Sequence, residues 1–270
     1  MGSREFEQNI ARVLRSCFDD FDALHTVTRL SGGASQETYK IEFSKGGKGL
    51  TIAMRRAPGG EYENPDPERP GLIAEARLMQ IARGVGVPEP EVYRVLTLED
   101  DLGAGFIMEW LDGETLGSKI LKSPELEDIR PRLARECGQI LARIHGIDPA
   151  EYGLTQMLST VTTEAFIFKM WEQYKSYRSP QPMIDYTARW LLTHIPPEGE
   201  PRLVHNDFRN GNLMVTPAGI NAVLDWEVAH LGDPVRDIGW ICTNSWRFGR
   251  TEKRVGGFGC LEDLLDGYEV

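Results

Sequence analysis

The stretch LVHNDFRNGNLMV, Leu203 to Val215, constrains this chain more than any other. It opens and closes on apolar residues and crowds His205, Asp207, Arg209, Asn210 and Asn212 between them. Polar side chains packed that closely are costly to bury unless something binds them. The next residues narrow the choice. LMV-TPAG-INAVL reads as a β-hairpin, because Thr216-Pro217-Ala218-Gly219 has Pro at the second and Gly at the fourth position of a type I turn. Paired strands lie ~5 Å apart, so the hairpin returns Asp225, in VLDWE, to the neighbourhood of Asn212. Three acceptors then converge: the carboxylates of Asp207 and Asp225 and the amide oxygen of Asn212. An all-oxygen set with few protein ligands suits Mg²⁺, which keeps waters and takes phosphate oxygens for the rest of its shell.

The surroundings change character along the chain. Tyr39, Ile41 and Phe43 alternate in ETYKIEF, and Leu50, Ile52 and Met54 in LTIAMRR, the period of half-buried strands. The glycine-rich SKGGKG between them is a hairpin connection. A Pro- and Gly-rich polar loop follows. LIAEARLMQIARGVGVP then reads as a helix with Ile73, Ala76, Met79 and Gln80 inward, closing at Gly84 and Pro88. GFIMEW is a further short strand, and SREFEQNIARVL at the start reads as an amphipathic helix. Beyond LDGE the pattern turns helical. Leu133, Cys137, Ile140, Leu141 and Ile144 share one helical face, and EAFIFKMWEQYKSY and MIDYTARWLLTHI read as helices. The expected class is α+β in two lobes. Residues 1–110 form an antiparallel sheet lobe with one helix, residues 111–270 a mainly helical lobe, and the hinge lies near 108–113.

Composition removes several function classes. No run of 18 apolar residues is present to span a membrane, and the N-terminus lacks the features of a signal peptide. The four cysteines are far apart without CxxC spacing, as expected of reduced thiols in a cytoplasmic protein. A net charge of −11 argues against sequence-independent nucleic-acid binding and suits a cationic substrate.

The pattern H-x-D-x-x-x-x-N followed by a hairpin and Asp resembles the catalytic and metal-binding loops of the protein-kinase-like fold. The spelling HNDFRNGNLMV…AVLDWEVAHLGDPVRDIGW is similar to the aminoglycoside phosphotransferase-like family, above all to the branch that includes kinase domains fused to some acyl-CoA dehydrogenases. The resemblance runs from about Val27 to Asp237. It implies a small-molecule kinase that uses Mg²⁺ and ATP or GTP. Asp207 is then the catalytic base orienting the acceptor hydroxyl, while Asn212 and Asp225 hold the metal on the phosphates. Arg209 either stabilises charge on the phosphoryl oxygens or is a surface arginine paired with a nearby acid. His205 packs beneath the loop, Asn210 caps its turn, and Asp237 either bonds the loop backbone or is simply a helix N-terminal acid.

Upstream, LSGGASQETY corresponds to the phosphate-covering loop, with Ser31, Gly32, Gly33 and Ser35 close to the nucleotide. Arg55 stands where kinases have an ATP-binding lysine, with Glu75 as its ion-pair partner. In FIMEWLDGE, Met108 lines the back of the purine site, and the Glu109 carbonyl and Leu111 N–H face the purine edge. The chain departs from the family in carrying Asn206 in place of Gly and in stopping at CLEDLLDGYEV, as a truncated or short member would, while Arg55 in place of Lys departs from the general kinase pattern but resembles the acyl-CoA-dehydrogenase-linked branch. The acceptor is open between an aminoglycoside and a hydroxyacyl-CoA or related hydroxy metabolite. Two rivals remain: an iron-binding H-x-D triad completed by His230, and a non-catalytic nucleotide-binding module.

Overall fold

A computed structural model describes residues 3–30, 36–62 and 69–269. Ser31, Gly32, Gly33 and Ser35 of the expected phosphate loop lie outside the described residues. The N-terminal part contains α1 (Ser3–Cys17), β1 (Phe21–Arg29), β2 (Glu37–Lys45), β3 (Lys48–Arg56), α2 (Gly71–Gly84), β4 (Val92–Val95) and β5 (Gly105–Glu109). Its strands form one antiparallel sheet in the order β1-β2-β3-β5-β4. The β2–β3 hairpin turns on Gly46 and Gly47, at φ 54° and 73°, where L side chains are disfavoured.

Successive side chains on a strand face opposite sides, and the sheet uses both. Ile107 joins Ile41, Phe43, Ile52 and Met54 in a cluster with Ile10, Val13 and Leu14 of α1. Phe106, next to it, joins the cluster that holds Leu72, Ala76 and Met79 of α2. The expected sheet-plus-helix lobe is present, with the expected N-terminal helix α1 covering one face of the sheet and α2 the other. The α2 face differs from the expected one. Leu72, Glu75, Ala76 and Met79 are buried, while Ile73 is 59% exposed and Gln80 is exposed. Leu50 is likewise 41% exposed, because β5 pairs with β3 only from Ile52 onward and leaves the outer end of the hairpin uncovered.

The C-terminal part contains α3 (Gly117–Ile120), α4 (Arg130–His145), α5 (Leu154–Met157), α6 (Thr163–Ser176), α7 (Pro182–Thr193), β6 (Arg202–Val204), β7 (Leu213–Thr216), β8 (Gly219–Val223), β9 (His230–Gly232), α8 (Val235–Ile241) and α9 (Leu261–Tyr268). The expected face of α4, Leu133, Cys137, Ile140, Leu141 and Ile144, is buried throughout. β7 and β8 form the expected hairpin, and β6 pairs with β9 beneath it. Among the described residues no helix is long and apolar enough to cross a membrane. All four cysteines are free thiols.

α9 lies so close to α4 that backbones almost touch. A Cβ at Gly138 would sit 2.0 Å from the Leu264 carbonyl oxygen, and one at Gly267 would sit 2.1 Å from that of Arg135. Ala in place of helical Gly ordinarily stabilises by about 1 kcal/mol. Forcing a methyl into a filled contact typically costs about 1–3 kcal/mol. Gly138→Ala should therefore lower the denaturation midpoint, and a raised midpoint would show that α9 gives way without loss.

Candidate active site

The segment between β6 and β7 is shaped by one carboxylate. Asp237, wholly buried in the first turn of α8, accepts from the His205 N–H at 2.8 Å, the Asn206 N–H at 2.7 Å and His145 Nε2 at 3.1 Å. Both expectations for Asp237 hold together: it is a helix N-terminal acid, and it bonds the loop backbone. Burial works to raise its carboxyl, but the hydrogen bond and charge of His145, with His205, outweigh that and hold it below the ordinary carboxylate range. Held this way, Asn206 takes φ 64°. Gly is the usual residue in that conformation and Asn a well-tolerated substitute, which accounts for Asn here. His205 bonds the Leu224 carbonyl through Nε2 at 3.1 Å and accepts the Asp207 N–H at Nδ1. Burial pushes its imidazole pKa down, so it stays neutral and joins the loop to the segment after the hairpin.

Asp207 is held from three directions. Arg209 meets it with Nε on Oδ1 at 3.1 Å and Nη2 on Oδ2 at 3.0 Å. Trp240 Nε1 donates to Oδ1 at 2.8 Å, and Asn212 Nδ2 to Oδ2 at 2.7 Å. With its nitrogen so used, Asn212 keeps its amide oxygen for another group. Arg209 has the carboxylate partner of its surface alternative, yet that carboxylate belongs to Asp207, and the guanidinium also stacks 4.5 Å over Trp246. Asn210 does not cap the turn with its amide; it ties the loop to the Trp246 and Gly256 carbonyls at 3.0 and 2.6 Å.

The hairpin brings Asp225 back as expected: Leu213 pairs with Val223, and the Leu224 N–H donates to the Asn212 carbonyl. Asp225, at φ 72°, meets Arg55 Nη2 at 2.5 Å. The same nitrogen lies 3.5 Å from Glu75 and 3.8 Å from Glu227, so the expected Arg55–Glu75 pair is part of a larger cluster. Oxygens of Glu75, Asp225 and Glu227 lie within 4.8 Å of one another. Burial pushes the Glu75 carboxyl up to about 7, and Asp225 and Glu227 push the same way, against the pull of Arg55. Three carboxyls around one guanidinium are a hard-oxygen set with room for more positive charge, and Asn212 lines the same cleft as Glu75 and Asp225. The donors fit Mg²⁺.

A cleft of about 600 Å³ joins these groups to the sheet. Arg55, Glu75, Met108, Glu109 and Leu111 line one side and Arg209, Asn212 and Asp225 the other. Of the expected site residues among the described residues, all but Asp207 line this cleft, and Asp207 is tied to it through Arg209 and Asn212. The iron-triad rival fails, since His205 Nε2 faces a carbonyl and His230 Nε2 receives Arg236 Nη1 at 2.5 Å. Two functional side chains escaped the sequence reading. Glu227 stands two residues after Asp225, with buried Trp226 between them bonded to Glu89, and the second acid so close to Asp225 was the signal available in the sequence. Trp240 is three residues after Asp237 on α8, the spacing of one helical face.

A sheet lobe over a helical lobe, with an aspartate-bearing loop and a hairpin Asp at the cleft between, is the protein-kinase-like fold of phosphotransferases. The chain belongs to the phosphotransferase enzyme family, whose profile matches residues 26–268. It is 29% identical over 219 residues to mouse acyl-CoA dehydrogenase family member 10, covering 78% of this chain and 19% of that protein. It is 25% identical to rat acyl-CoA dehydrogenase family member 11, covering 87% and 30% respectively. The chain thus spans less than a third of the length of these curated relatives. A crystal structure from Ralstonia eutropha, assigned provisionally as an aminoglycoside phosphotransferase, superposes with TM-score 0.74 at 26% identity, over 97% of this chain and 79% of that one. The macrolide 2′-phosphotransferase MphH of Brachybacterium faecium shares the fold, with TM-score 0.61 at 18% identity over 96% and 81%.

Asp237→Asn should cost about 1.5–3 kcal/mol near neutral pH, because it removes hydrogen bonds to a buried charged group and sets an amide against a backbone donor. A carboxyl held below its unfolded pKa contributes stability above the unfolded value and loses it as pH falls through the folded one. Denaturant melts should therefore show the gap between wild type and variant closing as pH drops below about 4. A gap constant with pH would refute the role given to the charge.

Proposed function

We propose that the chain transfers the γ-phosphoryl group of ATP or GTP to a hydroxyl of a small acceptor. The observation that carries this reading is the convergence of Arg55, Arg209, Asn212 and Asp225 on one nucleotide-sized cleft, with Asp207 held against Arg209 and Asn212. The acceptor oxygen bonds to the γ-phosphorus, the bond to the β,γ-bridging oxygen breaks, and the nucleoside diphosphate leaves with the electron pair. Asp207 takes the hydroxyl proton, aimed by Trp240 and Asn212. Arg209 lies beside it to meet charge on the transferring group. Met108, Glu109 and Leu111 line the purine end, and Ser31, Gly32, Gly33 and Ser35 cover the phosphates. Asn212 and Asp225, with Glu227, hold Mg²⁺, which when bound neutralises charge on the phosphate oxygens. Catalysis is positioning plus electrostatics, with no covalent enzyme intermediate.

We further read residues 1–110 and 111–270 as the two lobes, and the cytoplasm, where free thiols persist, as the compartment. Similarity to acyl-CoA dehydrogenase family members 10 and 11 supports the branch of kinase domains fused to such enzymes, and with it a hydroxyacyl-CoA or related hydroxy metabolite as acceptor.

Asp207→Ala should leave nucleotide binding nearly intact and abolish transfer, whereas Asp225→Ala should weaken both. Thermal shift with ATP or GTP, with and without Mg²⁺, and a transfer assay separate the two. Binding by the wild type with no transfer to any acceptor would return the chain to a non-catalytic nucleotide-binding module.

Trp240 acts through Asp207 and is a positioning residue. A hydrogen bond to a charged group contributes about 1.5–3 kcal/mol, which is roughly tenfold or more in rate. Trp240→Phe keeps a ring and removes the donor. It should lower kcat by about that factor while leaving nucleotide KM and the thermal midpoint unchanged. An equal rise in KM, or a lowered midpoint, would make the indole a packing group only.

A further inference from the structure

Trp226 is wholly buried, while its chain neighbours Asp225 and Glu227 reach Arg55 Nη2 at 2.5 and 3.8 Å. An indole carries one polar atom, an N–H that donates and cannot accept. It donates here to Glu89 Oε1 at 3.0 Å, and the ring packs against the His205 imidazole with centroids 4.6 Å apart. Glu89 lies between α2 and β4, in a segment that is itself tied down. The Pro88 carbonyl accepts the Val223 N–H of β8 at 2.9 Å, the Glu89 carbonyl accepts Arg83 Nη1 at 2.6 Å, and the Glu91 carbonyl accepts the Glu109 N–H at 2.8 Å. The Glu89 side chain is the costly part. It is 2% exposed, and its Oε2 has no hydrogen-bond partner among the described residues. A carboxyl so placed is better buried as the uncharged acid. Burial pushes its pKa well above the ordinary carboxyl range, against the pull of the Trp226 bond and of Arg83.

A leucine or methionine would fill that place without the cost, but would leave the indole N–H buried with no acceptor. What the indole holds is the turn beside it. Asp225 has a left-handed backbone, φ 72°, and such a conformation persists where its surroundings over-determine it. We propose that Glu89 is a positioning residue for the divalent-cation site: by anchoring the Trp226 indole it fixes the turn at Asp225, and with it the place of the Asp225 and Glu227 carboxyls. Glu89 does not line the cleft and acts only through Trp226. The proposal rests on the reading of these acids as holders of the cation and adds the residue that aims them.

The test measures the affinity of the full chain for non-hydrolysable ATP and GTP analogues by calorimetry, with Mg²⁺ and with chelator. The ratio of the two affinities is what the cation contributes. Partners that orient metal ligands are typically worth roughly 10–100-fold in metal affinity, and Glu89 acts through one further residue, so Glu89→Met should cut that ratio by about tenfold. Its affinity in chelator should equal that of the wild type. Glu89→Gln keeps an uncharged acceptor and should keep the full ratio. Trp226→Phe, which removes the donor instead, should behave as Glu89→Met does and stands in for it if that variant does not fold. An undiminished ratio in Glu89→Met, an equal loss in chelator, or a Glu89→Gln as poor as Glu89→Met overturns the proposal while the cation reading stands. A wild type that binds neither analogue, or binds them indifferently to Mg²⁺, sinks the phosphotransfer reading instead. The positioning claim is then decided by crystal structures: the Asp225 carboxyl should leave Arg55 in Glu89→Met, and one still bonded to it overturns the claim.

Discussion

The site depends on a buried carboxylate. Asp237 has no contact with solvent, and its desolvation is offset by two loop N–H groups and an imidazole. Those two amides belong to consecutive residues, His205 and Asn206, so the grip dictates the backbone path just before Asp207. The left-handed turn at Asn206 follows from it, and so does the direction in which Asp207 leaves the loop. The remaining supports act on a chain already bent: His205 onto Leu224, Asn210 onto Gly256, Trp240 onto Asp207 itself. A catalytic carboxylate is useful only when its angle is fixed, and here the angle is set mainly by charge-assisted hydrogen bonds in a dry interior.

Much of this was legible in the sequence where one local period ruled. β2 alternates because one face packs on α1, and α4 shows a clean stripe because one side meets the core. The hairpin announced itself through its turn residues, and with it the return of Asp225. α2 misled for a physical reason. Its inward face includes Glu75, buried as a partner of Arg55, and a reading that left Glu75 off that face rotates the helix and puts Ile73 inside. Glu227 and Trp240 acquire their roles from partners distant in sequence. Local pattern could place them on a face but could not say what they face.

The two sides of the catalytic loop differ in how firmly they are built. The nucleotide side rests on the sheet, the α4 core and the Asp237 network. On the other side, α6 buries none of its residues and α7 only Ala188, while Phe168, Met183, Tyr186 and Trp190 are exposed. Elements with few buried apolar contacts sit at the low end of local stability and are the first to open.

Arg55 and Glu75 belong to β3 and α2, and Asp225 and Glu227 to the segment after β8. The guanidinium is therefore a tie across the hinge, made from the same carboxylate oxygens that a divalent ion would seek. Competition for one set of oxygens is a thermodynamic linkage, and linkage is reciprocal. Whatever cation settles on Asp225 must loosen the hold of Arg55, and whatever holds the lobes together through Arg55 must weaken the cation by the same factor. A cation on Asp225 would draw on the same oxygens as the tie between the two lobes, so each would weaken the other.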